Sequence, residues 1–392
     1  MFLQRPKPQK DETLESFLIR VANKNGYEDV HRFLMATKRY LQDIDHTLFQ
    51  TFPTDIKLIN PYSSKVNSRS RTEALHRFSQ MTFNEPTELL ELSINRSQIK
   101  YSSSVSALIR GAEVIPRSLL RSAVPCCDQC LQEDGVASYR WHFVGYNYCH
   151  KHESKLIEQC QCGASYDYRT NGLNGICQVC KVPLKSNPDV SCENAYLISC
   201  WLAGESINVF PDLPKSYRWG LIHWWEQVSG INFCADSFTD FWNNWPNSLQ
   251  QMIEAEINFN LEHAIVDFKQ LRVKDLIGNL FFKSILLPQR NLEYNVILCE
   301  LLKHIDQRLW DNQGLLANLK MNAFEVTVFL NCSLDQVASM VEQRYLKPTI
   351  RQKPNVPVKN SDHVFYLGDV YCLWLAEFQT DEFNRSFYVS KW

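Results

Sequence analysis

A chain of 392 residues that is 45% hydrophobic and 12% aromatic carries enough apolar material for real cores. This excludes a disordered or low-complexity protein, and the length predicts two to four modest domains. The 41 Lys and Arg against 43 Asp and Glu leave a formal net charge of -2, which excludes a general polyanion binder; residues 1–125, with 18 basic against 13 acidic side chains, carry only a mild hint of nucleic acid.

Residues 1–10 are a basic, proline-containing arm without an apolar signal core, and no run is long and apolar enough to span a bilayer. This predicts a cytoplasmic protein with no membrane partner, whose thiols stay reduced. Asp11 is a candidate N-cap, and Leu14, Phe17, Leu18 and Val21 follow at helical spacing, giving one apolar face. Asn25-Gly26 ends this helix. A second short helix has Val30, Phe33 and Leu34 inward, and a third segment lies around Lys38–Ile44. Three short helices with a glycine turn fit a helix-turn-helix or a packing bundle. Residues 51–70 are irregular, and helices resume at Arg71–Met81 and Pro86–Leu92. Arg96, Lys100, Arg110, Arg117 and Arg121 then form either a solvated basic face or a phosphate or partner surface.

The stretch from Cys127 to Cys180 holds four close pairs of soft ligands. A pair two or three residues apart can wrap one metal with one tight turn, and two pairs complete a tetrahedron. Taken in order, the first Zn²⁺ site is Cys127, Cys130, Cys149 and His152, and the second is Cys160, Cys162, Cys177 and Cys180; an interleaved pairing also satisfies the spacing. Without a secretory signal, such pairing favours metal over disulfides. His150 and Cys126 compete locally, but each directly adjoins a better-spaced ligand. Both sites would be closed by four protein ligands, so the two zinc ions are expected to be structural. The other seven cysteines (Cys126, Cys192, Cys200, Cys234, Cys299, Cys332 and Cys372) read as small core residues. The aromatic run Tyr139–Phe143 could pack over the metal. Ser165–Arg169 alternates like a strand before Gly172 and Gly175, as in a zinc ribbon.

Beyond residue 190 the pattern is helical. The rings of Tyr217–Trp225 and Phe238–Trp245 fit a helical core better than a base-stacking platform, and His223 and His263 lack ligand partners. Residues 271–310 give two amphipathic helices. From Asn322 to Pro348 an apolar helix, the turn Asn331-Cys332-Ser333 and a second helix with a Ser333/Gln336 capping box make a helix-turn-helix layout with a basic exit. Asp335, Gln336, Ser339 and Gln343 would face outward, and a final helix, Gly368 to Phe378, would cover the unit. The reading is a mainly α fold: helix-turn-helix-like units around a central zinc-ribbon or zinc-finger region with two structural zinc sites. Its expected divisions are 1–100, 101–190, 191–320 and 321–392. No ligand set keeps an open position beside a carboxylate base, and there is no phosphate-cradling loop or nucleophile elbow, so no enzyme is expected.

The amino-terminal Asp11-Glu12, Leu14, Ser16, Arg20, Ala22 and Asn25-Gly26, with Cys127, Cys130-Leu131, Trp141, Cys149, His152 and Leu156, resemble the TniQ family, related to TnsD of bacterial transposons. One departure is that the third pair, Cys160-Gln161-Cys162-Gly163, is one residue shorter than the family's Cys-x-x-Cys-Gly. Asn318–Ala323 and Asp381–Tyr388 extend the resemblance to the short TniQ proteins of type I-F CRISPR-associated transposons. The resemblance implies a bacterial homodimer that serves as a non-enzymatic targeting adaptor of RNA-guided transposition. It would bind guide-loaded Cascade at its crRNA-processing endoribonuclease and adjacent backbone subunit, and recruit an AAA+ regulator and the transposase. It would meet crRNA and target DNA mainly through that complex. The alternative is a sequence-specific DNA-binding target-site selector or regulator that uses its helix-turn-helix units.

Overall fold

The computed structural model describes residues 2–64, 69–100, 106–186, 192–230, 232–265, 270–284, 287, 294–311, 316–330, 332–349 and 359–378. Asn331 and the stretch Asp381–Tyr388, both named from the sequence, lie outside the described residues. The chain groups into two compact units, residues 1–226 with 231–239 and residues 227–230 with 240–392.

The first unit opens with α1 (Leu14–Lys24), which buries Leu14, Phe17, Leu18 and Val21 as its spacing requires. Its N-cap is Thr13, not Asp11: Thr13 Oγ1 accepts from the Ser16 amide at 3.0 Å. Asp11 is held at a φ of +62° and its carboxylate pairs with Arg140 at 3.1 Å. At the other end Asn25 does more than stop the helix. Its Oδ1 accepts from the amides of Leu3 and Gln4, each at 3.0 Å, pinning the basic arm.

The second and third expected segments are one helix, α2 (Val30–Ile44). Nothing between Leu34 and Lys38 breaks it, and Thr37 and Leu41 continue the buried stripe of Phe33 and Leu34. The chain turns instead at Asp45, whose side chain caps α3 (His46–Phe49). The helices α4 (Arg69–Thr82) and α5 (Pro86–Leu92) follow.

Next comes an antiparallel sheet that the sequence reading did not contain: β1 (Asn95–Lys100), β2 (Ser106–Arg110) and β3 (Glu113–Pro116), in that order. Much of the basic stretch is tied down here. Arg96 donates to the carbonyls of Tyr62 and Ser64. Arg110 lies 4.0 Å over the Tyr139 ring and donates to the Glu12 carbonyl at 3.0 Å. Arg121 pairs with Glu158 at 2.7 Å. Arg117 remains exposed.

The cysteine-rich stretch supplies α6 (Asp128–Glu133), the hairpin β4 (Tyr148–Cys149) and β5 (Ser154–Lys155), and α7 (Tyr168–Asn171). It is stitched to α1 by a buried chain of hydrogen bonds. The Thr13 hydroxyl and the Tyr168 phenol lie 2.8 Å apart, the Tyr168 phenol meets His142 Nε2 at 2.8 Å, and the Ala137 amide donates to Ser16 Oγ at 3.0 Å. These shared contacts place residues 1–100 and 101–190 in the same compact unit. The unit closes with α8 (Glu193–Ala203) and α9 (Lys215–Ser229), where Trp201, Trp219 and Trp224 are fully buried. Those rings form a helical core and offer no face to a base.

From α9 the chain enters α10 (Ala235–Asn243), which leads into the second unit. Three helices there, α11 (Asn247–Glu262), α12 (Val273–Ser284) and α13 (Val296–Asp311), include the two amphipathic helices expected over 271–310. Glu254 ties α11 to α13 by accepting from His304 at 2.5 Å and Arg308 Nε at 2.7 Å. A short ladder of β6 (Lys320–Met321) and β7 (Phe365–Tyr366) flanks α14 (Ala323–Phe329) and α15 (Leu334–Glu342). Both helices have complete capping boxes, Asn322/Glu325 and Ser333/Gln336. The closing helix α16 (Leu367–Phe378) sets Trp374 against Phe329, with ring centroids 6.5 Å apart.

Candidate metal centres

Each centre is built from two tight turns. Cys127 is the N-cap of α6, so Cys130 lies in its first turn. Cys149 ends β4, and the hairpin pairs it with Ser154. Glu153, at a φ of +52°, closes the turn that brings His152 back over Cys149. The result is a compact four-point cluster. His152 Nδ1 is 3.4 Å from Cys127 Sγ, 3.3 Å from Cys130 Sγ and 3.4 Å from Cys149 Sγ, and Cys130 and Cys149 sulfurs are 3.5 Å apart.

The second centre repeats the design with shorter turns. The Gly163 amide donates to the Cys160 carbonyl at 2.8 Å, and the Cys160 amide to the Ala164 carbonyl at 2.8 Å. Gly163 has a φ of +84° with open space around it, so the pair that is one residue short still closes. Lys181, at a φ of +60°, turns the chain after Cys180. Cys160 and Cys180 sulfurs are 3.6 Å apart, and Cys162 and Cys177 sulfurs 3.8 Å.

These distances discriminate between a metal and a disulfide. A disulfide needs sulfurs at about 2.05 Å, and none of the seven ligand cysteines is in a disulfide. Ligands at about 2.3 Å for sulfur and about 2.0 Å for nitrogen around a tetrahedral ion stand about 3.5–3.8 Å from one another. In both clusters the ligand atoms lie within 4.8 Å of one another, and the eight side chains group in sequence order, not interleaved.

The local competitors turn elsewhere. His150 Nδ1 lies 2.7 Å from the Tyr146 hydroxyl. Cys126 is fully buried, and burial pushes its thiol well up. The aromatic segment does adjoin the first centre, since Trp141 and Tyr146 line the small cavity beside Cys130 and Cys149. Ser165–Arg169 is not a strand. It contributes one isolated bridge between Gln159 and Ser165 and then α7, capped by Asp167, whose carboxylate also accepts from Arg169 at 2.9 and 2.8 Å. His223 meets Ser118 Oγ at 3.0 Å and His263 stacks on Phe259; neither joins a cluster. Ser154 was not legible as part of the site: its Oγ lies 3.6 Å from Cys127 Sγ, a contact that only the hairpin register creates.

The centres differ in setting. All three cysteines of the first are buried, whereas Cys162 of the second is exposed and Cys180 half-buried.

A mainly helical protein with two four-ligand Cys/His clusters positioned to hold metal ions belongs to the class with zinc-finger-type regions. Residues 3–156 match the TniQ family model, so this part of the chain is similar to TniQ proteins. The matched stretch runs from the arm through the first cluster and stops before the second. The matched family is one of transposition-associated adaptor and DNA-binding proteins. No curated protein matches the chain. No helix among the described residues is long and apolar enough to cross a membrane.

Proposed function

We propose that this protein is a non-enzymatic targeting adaptor of RNA-guided transposition, held in shape by two structural Zn²⁺ ions. It links a guide-loaded Cascade to an AAA+ regulator and the transposase, and works as a homodimer. The TniQ match over residues 3–156 carries this reading. Cys127, Cys130, Cys149 and His152 would hold one ion, and Cys160, Cys162, Cys177 and Cys180 the other. When bound, each ion supplies cross-linking and no reaction, because four protein ligands leave no coordination position for water. The chain's own residues then position α1, the hairpin and α7 around the centres. Zinc analysis of protein purified without added metal should give two equivalents per chain; one or none would contradict the ligand sets.

Charge favours protein contacts over duplex reading. Asp335 and Glu342 are exposed on α15, and Glu28 and Asp29 are exposed where α2 begins. Carboxylates at those places repel phosphates and remove the salt-dependent attraction behind most non-specific affinity. The exposed Arg344 and Lys347 beyond α15 support the second reading, a DNA-binding target-site selector. Light scattering and duplex titration separate the two. The adaptor should run as a dimer and bind duplexes weakly and without sequence preference at physiological salt. Tight binding of the isolated protein to one duplex would establish the selector instead.

A further inference from the structure

Three sulfurs surround His152 Nδ1, so Nδ1 is the ring atom turned to the metal position and Nε2 points away from it. That outward nitrogen lies 2.9 Å from Glu133 Oε2. Glu133 closes α6 three residues after Cys130, so one short helix presents both a ligand and the partner of another ligand. When Nδ1 gives its lone pair to a metal, the ring proton must sit on Nε2, where it donates to the Glu133 carboxylate. Such a carboxylate fixes the tautomer, sets the ring angle and makes the ligating nitrogen more basic.

We infer that Glu133 is the positioning residue of the first metal centre, holding His152 in the tautomer that ligates through Nδ1. The sequence motif is therefore Cys127-x-x-Cys130-x-x-Glu133. This inference rests on the first cluster holding a metal. Its effect is confined to one of the two ions, because the second centre contains no histidine.

The test uses full-length, zinc-loaded protein and its Glu133→Ala and Glu133→Gln variants. The Glu133 side chain is 63% exposed, and α6 buries Asp128, Cys130 and Leu131 instead, so neither change cuts into the core. Release of zinc to a chromogenic chelator should accelerate about 10–100-fold for one equivalent in Glu133→Ala and stay unchanged for the other. Glu133→Gln, which keeps an acceptor without the charge, should fall between. Nitrogen-15 spectra of the wild-type ring should show metal at Nδ1 and a slowly exchanging proton on Nε2, and that protection should vanish in Glu133→Ala. Unchanged release of both equivalents from a fully loaded variant, or ligation through Nε2, would overturn the role of Glu133 alone. A wild-type chain without metal at this centre would overturn the centre and, with it, the role of Glu133.

Discussion

Glu15 has no exposed surface. Its Oε1 accepts from Asn60 Nδ2 at 2.7 Å, and its Oε2 has no protein partner. Burial pushes its carboxyl up to about 7 from 4.5, against the pull of Arg169 and Asn60. A carboxyl with a raised folded pKa binds more protons folded than unfolded between those two values. Its contribution is therefore fully present below the unfolded pKa and is lost as pH rises through the folded one. Glu15→Gln, measured by denaturant unfolding, should match the wild type at pH 4 and exceed it by about 1–3 kcal/mol at pH 8. Parallel stability curves for the two proteins would contradict the assignment. Glu325 in the second unit is also pushed up to about 7 by burial, but its side chain completes the Asn322 capping box, so removing it mixes the two effects.

At the scale of elements, the two centres should fail differently. The stretch between the first centre's ligand pairs is bound to α1, since the Ala137 amide donates to Ser16 Oγ and the Thr13 amide to the Ala137 carbonyl, and metal-binding energy in such a region is folding energy. Cys130→Ser should therefore lower the stability of the first unit by more than about 4 kcal/mol. Cys177→Ser, at the more exposed centre, should release one zinc and leave the protection of α1 from hydrogen exchange nearly intact. Equal loss of α1 protection in both variants would refute the distinction. A smaller effect belongs to α15: Ser333→Ala removes the cap acceptor for the Gln336 amide and should cost about 1 kcal/mol in thermal unfolding.

These elements also mark what the sequence made legible. Ligand spacing is local, so both Cys/His clusters could be read from it, and so could the Ser333/Gln336 capping box. Strand β1 reads Asn-Arg-Ser-Gln-Ile-Lys, with neither alternation nor β-branched enrichment, and it exists because β2 pairs with it. Arg110 and Arg121 looked like surface cations because their acceptors, the Glu12 carbonyl and Glu158, are distant in sequence. Asp11 looked like a cap because its partner, Arg140, is more than a hundred residues away.

At the scale of the whole molecule, each candidate centre brings four protein ligands together, and the rings of Trp201, Trp219 and Trp224 are buried. Exposed side chains of both signs stand on α2 (Arg32, Arg39 and Asp43) and at the end of α15 (Glu342 and Arg344). The most direct test is a tagged pull-down from cells that express the chain with Cascade, with and without guide RNA. The adaptor account predicts that the chain recovers Cascade, guide included, in stoichiometric amounts when the guide is supplied. Failure to recover guide-loaded Cascade, together with tight binding of the isolated chain to a single duplex sequence, would contradict it.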